Sequence, residues 1–206
     1  MMLLRPSAFL LLALLLAVCV LPAVPRAVAG PIGINGFGPG AVVTTFDGLP
    51  LDTYDNASPL LIAGDRYASS DGAFRYLLGY GTGEAITTDS DQATLTVVLA
   101  REAFRVGGSI GAYGVSSEMV RFYDAARSLL GVVEVTHQTA GLSFVGWETT
   151  GALIHSVEFQ DTSLNGYVMA LDNFIAESAV PEPGTLALLG FGLAGLALRR
   201  RVASGW

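Results

Sequence analysis

The 206-residue chain has no lysine, a single cysteine and two histidines, and each shortage removes a class of chemistry. Without lysine there is no Schiff-base or phosphate-loop amine. Cys19 lies in the first apolar run, so the exported part has neither a disulfide nor a thiolate metal site and must hold itself together by burying a core. Two histidines are too few for a zinc centre that does not borrow carboxylates. Cation is scarce too. From Gly30 to Ala176 there are 16 Asp plus Glu against 6 Arg, a balance of −10. Such a surface repels phosphate backbones and excludes nucleic acid as a partner.

What the chain has in plenty is apolar sequence at its two ends, which accounts for an apolar fraction of 51% and a mean hydropathy of +0.53. At the front, Arg5 precedes the run Phe9 to Leu21. Pro22 then breaks it ahead of Ala27-Val28-Ala29. A charged start, a short apolar core and small residues at Ala27 and Ala29 read as a signal peptide, residues 1–29, cut after Ala29.

At the back, Thr185 to Leu198 is uncharged and apolar and is followed by Arg199, Arg200 and Arg201. As a helix rising about 1.5 Å per residue this stretch reaches about 21 Å, short of the roughly 30 Å hydrocarbon core. The arginines extend it by snorkelling and hold that end on the cytoplasmic side. Pro181 and Pro183 set a stiff, extended entry at the outer face. Residues 178–206 are therefore expected to form a tail with a single transmembrane helix.

Val180-Pro181-Glu182-Pro183, the Gly/Ala/Leu-rich stretch and the terminal arginines, in that order, resemble the PEP-CTERM sorting signal of Gram-negative bacteria. The resemblance implies export, retention in the inner membrane, and processing at the Pro-Glu-Pro element by an exosortase, a membrane-embedded cysteine peptidase. It further implies delivery to the cell surface or extracellular matrix of a bacterium that makes polysaccharide and biofilm. It covers only the tail.

Between them, residues 30–177 form short apolar stretches separated by Gly, Asp, Ser and Thr, without a sustained helical period. In Thr94-Leu95-Thr96-Val97-Val98-Leu99 the leucines and Val97 fall on one face and the threonines on the other, the pattern of a half-buried strand. Further strands are expected at Val42 to Phe46, Phe74 to Leu78, Met119 to Tyr123, Leu129 to Thr136, Leu142 to Glu148, Leu153 to Phe159 and Tyr167 to Ile175. Eight or so strands without crossover helices give an all-β fold, an antiparallel β-sandwich of jelly-roll type. Thr45-Phe46-Asp47-Gly48, Phe144-Val145-Gly146-Trp147 and Leu171-Asp172-Asn173-Phe174 are similar to the β-sandwich cargo domains that accompany this sorting tail.

The candidate sites are few. Gly107-Gly108-Ser109-Ile110-Gly111 spells a nucleophile elbow, but no helical period follows it, so its glycines are read as a strand bend or turn. Gly79-Tyr80-Gly81-Thr82-Gly83 lacks the Gly-Lys ending of a phosphate loop. His155 alternates with Leu153, Val157 and Phe159, which places it on an apolar face, and His137 follows a strand at the surface. Calcium is the candidate cofactor, at Asp89 and Asp91 in one turn or at Asp47 and Asp172, which come together if the first and last strands pair. Sugar binding needs exposed aromatic faces beside amides and carboxylates. Trp147 leads those candidates, with Tyr113, Tyr123 and Tyr167 behind it.

The sequence reads as an exported, non-enzymatic module, structural in an extracellular polysaccharide or binding it. The alternative is a secreted hydrolase using Ser109 or a carboxylate pair.

Overall fold

Thr94 to Ala112 forms one strand of 19 residues, and the rest of the chain is arranged around it. The computed structural model describes residues 29–178 apart from 50–52, 56, 58, 79–83, 91, 113 and 164–168. The strands are β1 (Gly30–Ile32), β2 (Val42–Thr44), β3 (Thr53–Asp55), β4 (Leu60–Ile62), β5 (Asp65–Ser69), β6 (Ala73–Leu78), β7 (Glu84–Thr88), β8 (Thr94–Ala112), β9 (Ser116–Tyr123), β10 (Leu129–His137), β11 (Gly141–Glu148), β12 (Ile154–Asp161) and β13 (Ala170–Ser178). Among the described residues no helix is long and apolar enough to cross a membrane. The expected signal peptide up to residue 28 and the tail from residue 179 lie outside them.

The two halves of β8 belong to different layers. Its first half pairs with β5 and β12, and onward pairing gives the order β4-β5-β8-β12-β9-β10. Its second half pairs with β11 and β13, giving β1-β11-β8-β13. Beyond β13, β7 takes up Ala170 and Leu171 and leads on to β6 and β3, while β2 takes up Phe174 to Ala176. Every one of these pairs is antiparallel, and strands distant in sequence lie side by side. The domain is an all-β antiparallel sandwich of jelly-roll-like connectivity.

The alternation that marks Leu95, Val97 and Leu99 as inward holds, with all three buried. Aromatic rings stitch the layers together. Phe174 of β13 meets Phe159 of β12 and Tyr67 of β5 edge-on, with centroids 6.3 and 6.1 Å apart. Phe46 packs on Tyr67 at 5.5 Å. The offset edge-to-face geometry places the positive rim of one ring on the negative face of the next.

The run Gly107 to Gly111 is not a turn. It lies inside β8, flanked by β11 and β13. A Cβ at Gly107 would stand 2.6 Å from the Phe144 ring, at Gly108 2.7 Å from Leu171, and at Gly111 1.8 Å from the Gly141 carbonyl oxygen. The glycines are there because neighbouring strands approach too closely for any side chain. The β4–β5 hairpin is closed by Ala63 (φ 53°) and Gly64 (φ 92°), two left-handed residues in succession, the backbone of a type I′ turn.

Candidate functional site

On β9, Ser116, Glu118, Val120 and Phe122 point inward and are buried, so Ser117, Met119, Arg121 and Tyr123 take the outer face of the first layer. The register carries this face across the sheet. Arg121 stands opposite Glu158 of β12, Glu158 opposite Thr96 of β8, and Thr96 opposite Ala68 of β5. The adjacent rows contain Met119, Gln160 and Thr94 on one side, and Tyr123, Ser156, Val98 and Arg66 on the other.

The polar side chains of this face are linked. Arg121 Nη1 donates to Gln160 Oε1 at 3.0 Å. Arg127 Nη2 donates to Glu158 Oε1 at 2.8 Å, and the Arg127 guanidinium lies over the Tyr123 ring, 4.6 Å from its centroid. Burial raises the Tyr123 phenol above its ordinary pKa. The neighbouring Glu158, by hydrogen bond and by charge, adds to that rise, while Arg121 and Arg127 oppose it.

The β9–β10 turn delivers Arg127. Asp124 Oδ1 accepts bonds from the backbone of Ala126 at 2.9 Å and of Ser128 at 2.8 Å, and the Asp124 carbonyl accepts from Arg127 N at 3.0 Å. This side-chain template is the usual way an aspartate organises a turn. It holds Arg127 at φ 64°, a left-handed conformation that suits glycine and that a long side chain adopts at a cost. A ring, two guanidiniums, a carboxylate, an amide and the hydroxyls of Thr94 and Thr96 thus share one open sheet face. The arrangement has no nucleophile and base in contact. It has donors and acceptors set beside an aromatic, the composition that holds a polyol.

The residues singled out from sequence fall elsewhere. Trp147 is not an exposed platform. Its indole stacks on Phe122 of the opposite layer at 5.8 Å and 23°, and its ring fills the space over Gly131, where a Cβ would lie 2.3 Å from the indole. The glycine on β10 leaves the hole that the half-buried tryptophan fills, packed against the core. Tyr113, Tyr167 and Asp91 lie outside the described residues, as do Gly79 to Gly83. Asp89 sits in an exposed turn.

Asp172 is buried, and Asn173 beside it adopts φ 49° where the β8–β13 register shifts. Asn173 donates its backbone N–H to Asp172 Oδ1 and its amide to Oδ2, both at 2.6 Å. Burial pushes the Asp172 carboxyl up, the Asn173 backbone bond pulls it back, and the charge of Asp47 raises it again. β2, just ahead of Asp47, is paired to β13, which carries Asp172. Among the described residues no group of three or more His, Cys, Asp or Glu is placed to hold a metal ion.

His137 is not at the surface but 6% exposed, with Nε2 3.1 Å from Glu118 Oε2. Asp161 stands opposite Glu118 in register and is also buried. Burial pushes the Glu118 carboxyl up, the Ser116 hydroxyl and His137 oppose the shift, and Asp161 adds to it. His155 falls where the β12–β8 register shifts between Ile154 and Ser156, so the apolar alternation expected through it does not carry, and it is half-buried. Ser109 is a mid-strand residue of β8, between β11 and β13, and forms no elbow.

Sequence reasoning missed Arg127 and Arg105. Arg105 Nη2 bonds Glu148 at 2.9 Å and Nη1 bonds Glu177 at 3.2 Å, while Gly38 N donates to Glu177 at 2.9 Å. Gly30 pairs with Glu148, so both ends of the described chain meet at one end of the sandwich. The signal for Arg127 was present in Asp124-Ala125-Ala126-Arg127-Ser128, an aspartate-led turn with an arginine where a glycine would be expected.

Three comparisons bear on this chain. No curated protein matches it. Among solved structures it is similar to a variant of the family 29 carbohydrate-binding module CBM29-2 complexed with cellulohexaose, at 13% identity over 69% of this chain and 96% of that one, with a TM-score of 0.43. It is similar to the module CsCBM6-3 from Clostridium stercorarium in complex with cellobiose, at 13% identity over 63% and 95%, TM-score 0.36. A third is the K2 cleaved adhesin domain of Lys-gingipain, at 13% identity over 66% and 98%, TM-score 0.40. A family model described as the PEP-CTERM protein-sorting motif matches residues 179–201, directly after β13, the last strand among the described residues.

Proposed function

We propose that this is an exported, non-enzymatic module that holds extracellular polysaccharide on the outer face of its first layer. The carrying observation is the Tyr123, Arg127, Glu158, Arg121 and Gln160 network, a linked set of sugar-compatible groups on an open sheet face. The sorting motif supports the route. Val180 to Pro183 serve as the exosortase recognition element, the apolar stretch holds the inner-membrane intermediate, and Arg199 to Arg201 stay on the cytoplasmic side until processing. The end of β13 supports it as well. Arg105 clamps Glu177, so the tail leaves from an anchored strand. The processed domain resides at the cell surface or in the matrix of a Gram-negative, biofilm-forming bacterium.

The test is a pulldown of the exported protein with the host's own polysaccharide. Wild type is expected in the bound fraction and a folded Tyr123→Ala variant outside it. Retention of both, or of neither, would reject this face as the binding surface. In the same host, deleting the exosortase is expected to leave the protein at its unprocessed mass in the membrane fraction.

A further inference from the structure

Three of the six arginines between Gly30 and Ala176 share one face. Arg66, Arg121 and Arg127 all stand on the outer face of the first layer, Arg66 in the same row as Tyr123 three strands away, about 14 Å at the usual strand spacing. Arg105 is taken up by Glu148 and Glu177. Among the described residues the carboxylates on and beside the face are Glu158, between Arg121 and Arg127, Glu134, exposed on β10 opposite Met119, and Asp124, which spends one oxygen on the backbone of the turn that carries Arg127. Three guanidiniums against three carboxylates leave this face balanced, in a domain whose balance is −10, so it is where the negative field is weakest.

At the centre of the face two guanidiniums share one carboxylate. Glu158 Oε1 is bonded by Arg127 at 2.8 Å, and Arg121, directly across from Glu158, spends Nη1 on the neutral amide of Gln160. Among the described residues no carboxylate is in ion-pair contact with Arg121. The Arg127 side chain is 59% exposed and is held at φ 64°, where glycine would relieve the backbone. A strained residue whose head group is presented to solvent is the kind of feature that marks a contact surface.

Resting on the polysaccharide-binding reading, we propose that the ligand is an acidic polysaccharide and that Arg121 and Arg127 receive its uronate carboxylates. The planar guanidinium offers parallel N–H groups that match a carboxylate. An arriving carboxylate supplies the charge that Glu158 alone does not, while the acidic remainder of the domain repels the polymer and confines it to this face.

The experiment is affinity electrophoresis of the exported protein through gels containing polygalacturonate or the uncharged polymer dextran, at low and high NaCl. Expected is retardation by polygalacturonate only, weakened by salt, and cut about tenfold in apparent affinity by Arg121→Gln or Arg127→Gly, as for loss of one hydrogen bond to a charged group. Arg127→Gly keeps the turn, so it separates lost binding from lost folding. Near-UV circular dichroism checks both variants. Equal, salt-insensitive retardation by both polymers, lost in Tyr123→Ala, would overturn the acidic-ligand inference and leave the polysaccharide-binding reading intact. Undiminished polygalacturonate binding in the folded Arg121→Gln, Arg127→Gly double variant would overturn the placement. No retardation by either polymer, together with no retention of the host polysaccharide, would overturn both.

Discussion

The guanidinium of Arg127 lies over the ring of Tyr123, 4.6 Å from its centroid, and reaches it from a turn residue held at φ 64°. Two opposing energies meet at that residue. The left-handed backbone costs roughly 1–2 kcal/mol, while a cation over an exposed ring and an exposed ion pair each return about 0.5–1 kcal/mol. Arg127→Gly is therefore expected to leave the unfolding free energy from urea titration within about 1 kcal/mol of wild type, although it removes two contacts. A loss above that would show that Arg127 holds the turn together rather than being held by it.

Trp147 and Gly131 form a knob and a hole between β11 and β10. Gly131→Ala is expected to destabilise by about 1–3 kcal/mol through overpacking, and Trp147→Ala by about 3–5 kcal/mol through the cavity it leaves. Denaturant unfolding followed by circular dichroism measures both. A Trp147→Ala protein of unchanged stability would place the indole outside the core.

Asp47 and Asp172 make stability depend on pH in a direction that can be worked out. Burial and Asp47 raise the Asp172 pKa in the folded protein above its unfolded value of about 3.9. The contribution is thus fully present below about pH 3.9 and is lost as pH rises through the higher folded value. Asp47→Asn removes one of the raising charges. Its Tm is expected to exceed wild type at neutral pH in the presence of chelator, with the gap closing toward pH 3.9. A wild-type Tm that rises with CaCl2, and a variant that loses this rise, would assign the pair to calcium.

Arg105 is expected to secure the strand from which the sorting tail departs. Arg105→Met leaves Glu177, 8% exposed, and Glu148 without their cation, at a cost of about 2 kcal/mol. Hydrogen exchange should quicken in Ala170–Ser178 more than in Ser116–Tyr123. Uniform protection in both strands would show that the clamp is dispensable.

Much of the fold was legible because it rests on local alternation. Leu95, Val97 and Leu99 announced a strand with one buried face, and the buried face is the one they mark. The same reasoning failed where the pattern crossed an irregularity. A register shift around His155 alters which face each following residue takes, so His155 does not have the neighbours that simple alternation assigns. The glycines at Gly107 to Gly111 suggested a strand bend or turn because a glycine that answers to a neighbouring strand looks, in one dimension, like one that answers to its own backbone.

By itself the sequence determined an all-β domain without disulfides, a surface short of cations and a PEP-CTERM motif at its end, since composition, period and short linear motifs are written locally. The tertiary structure decided which residues meet. It took Trp147 inward because Gly131, from another strand, leaves room for it, and it set Arg127 over Tyr123 because a templated turn folds back onto β9. Such contacts depend on register between strands far apart in the chain, and register is settled by the packing of the whole sandwich rather than by any one stretch.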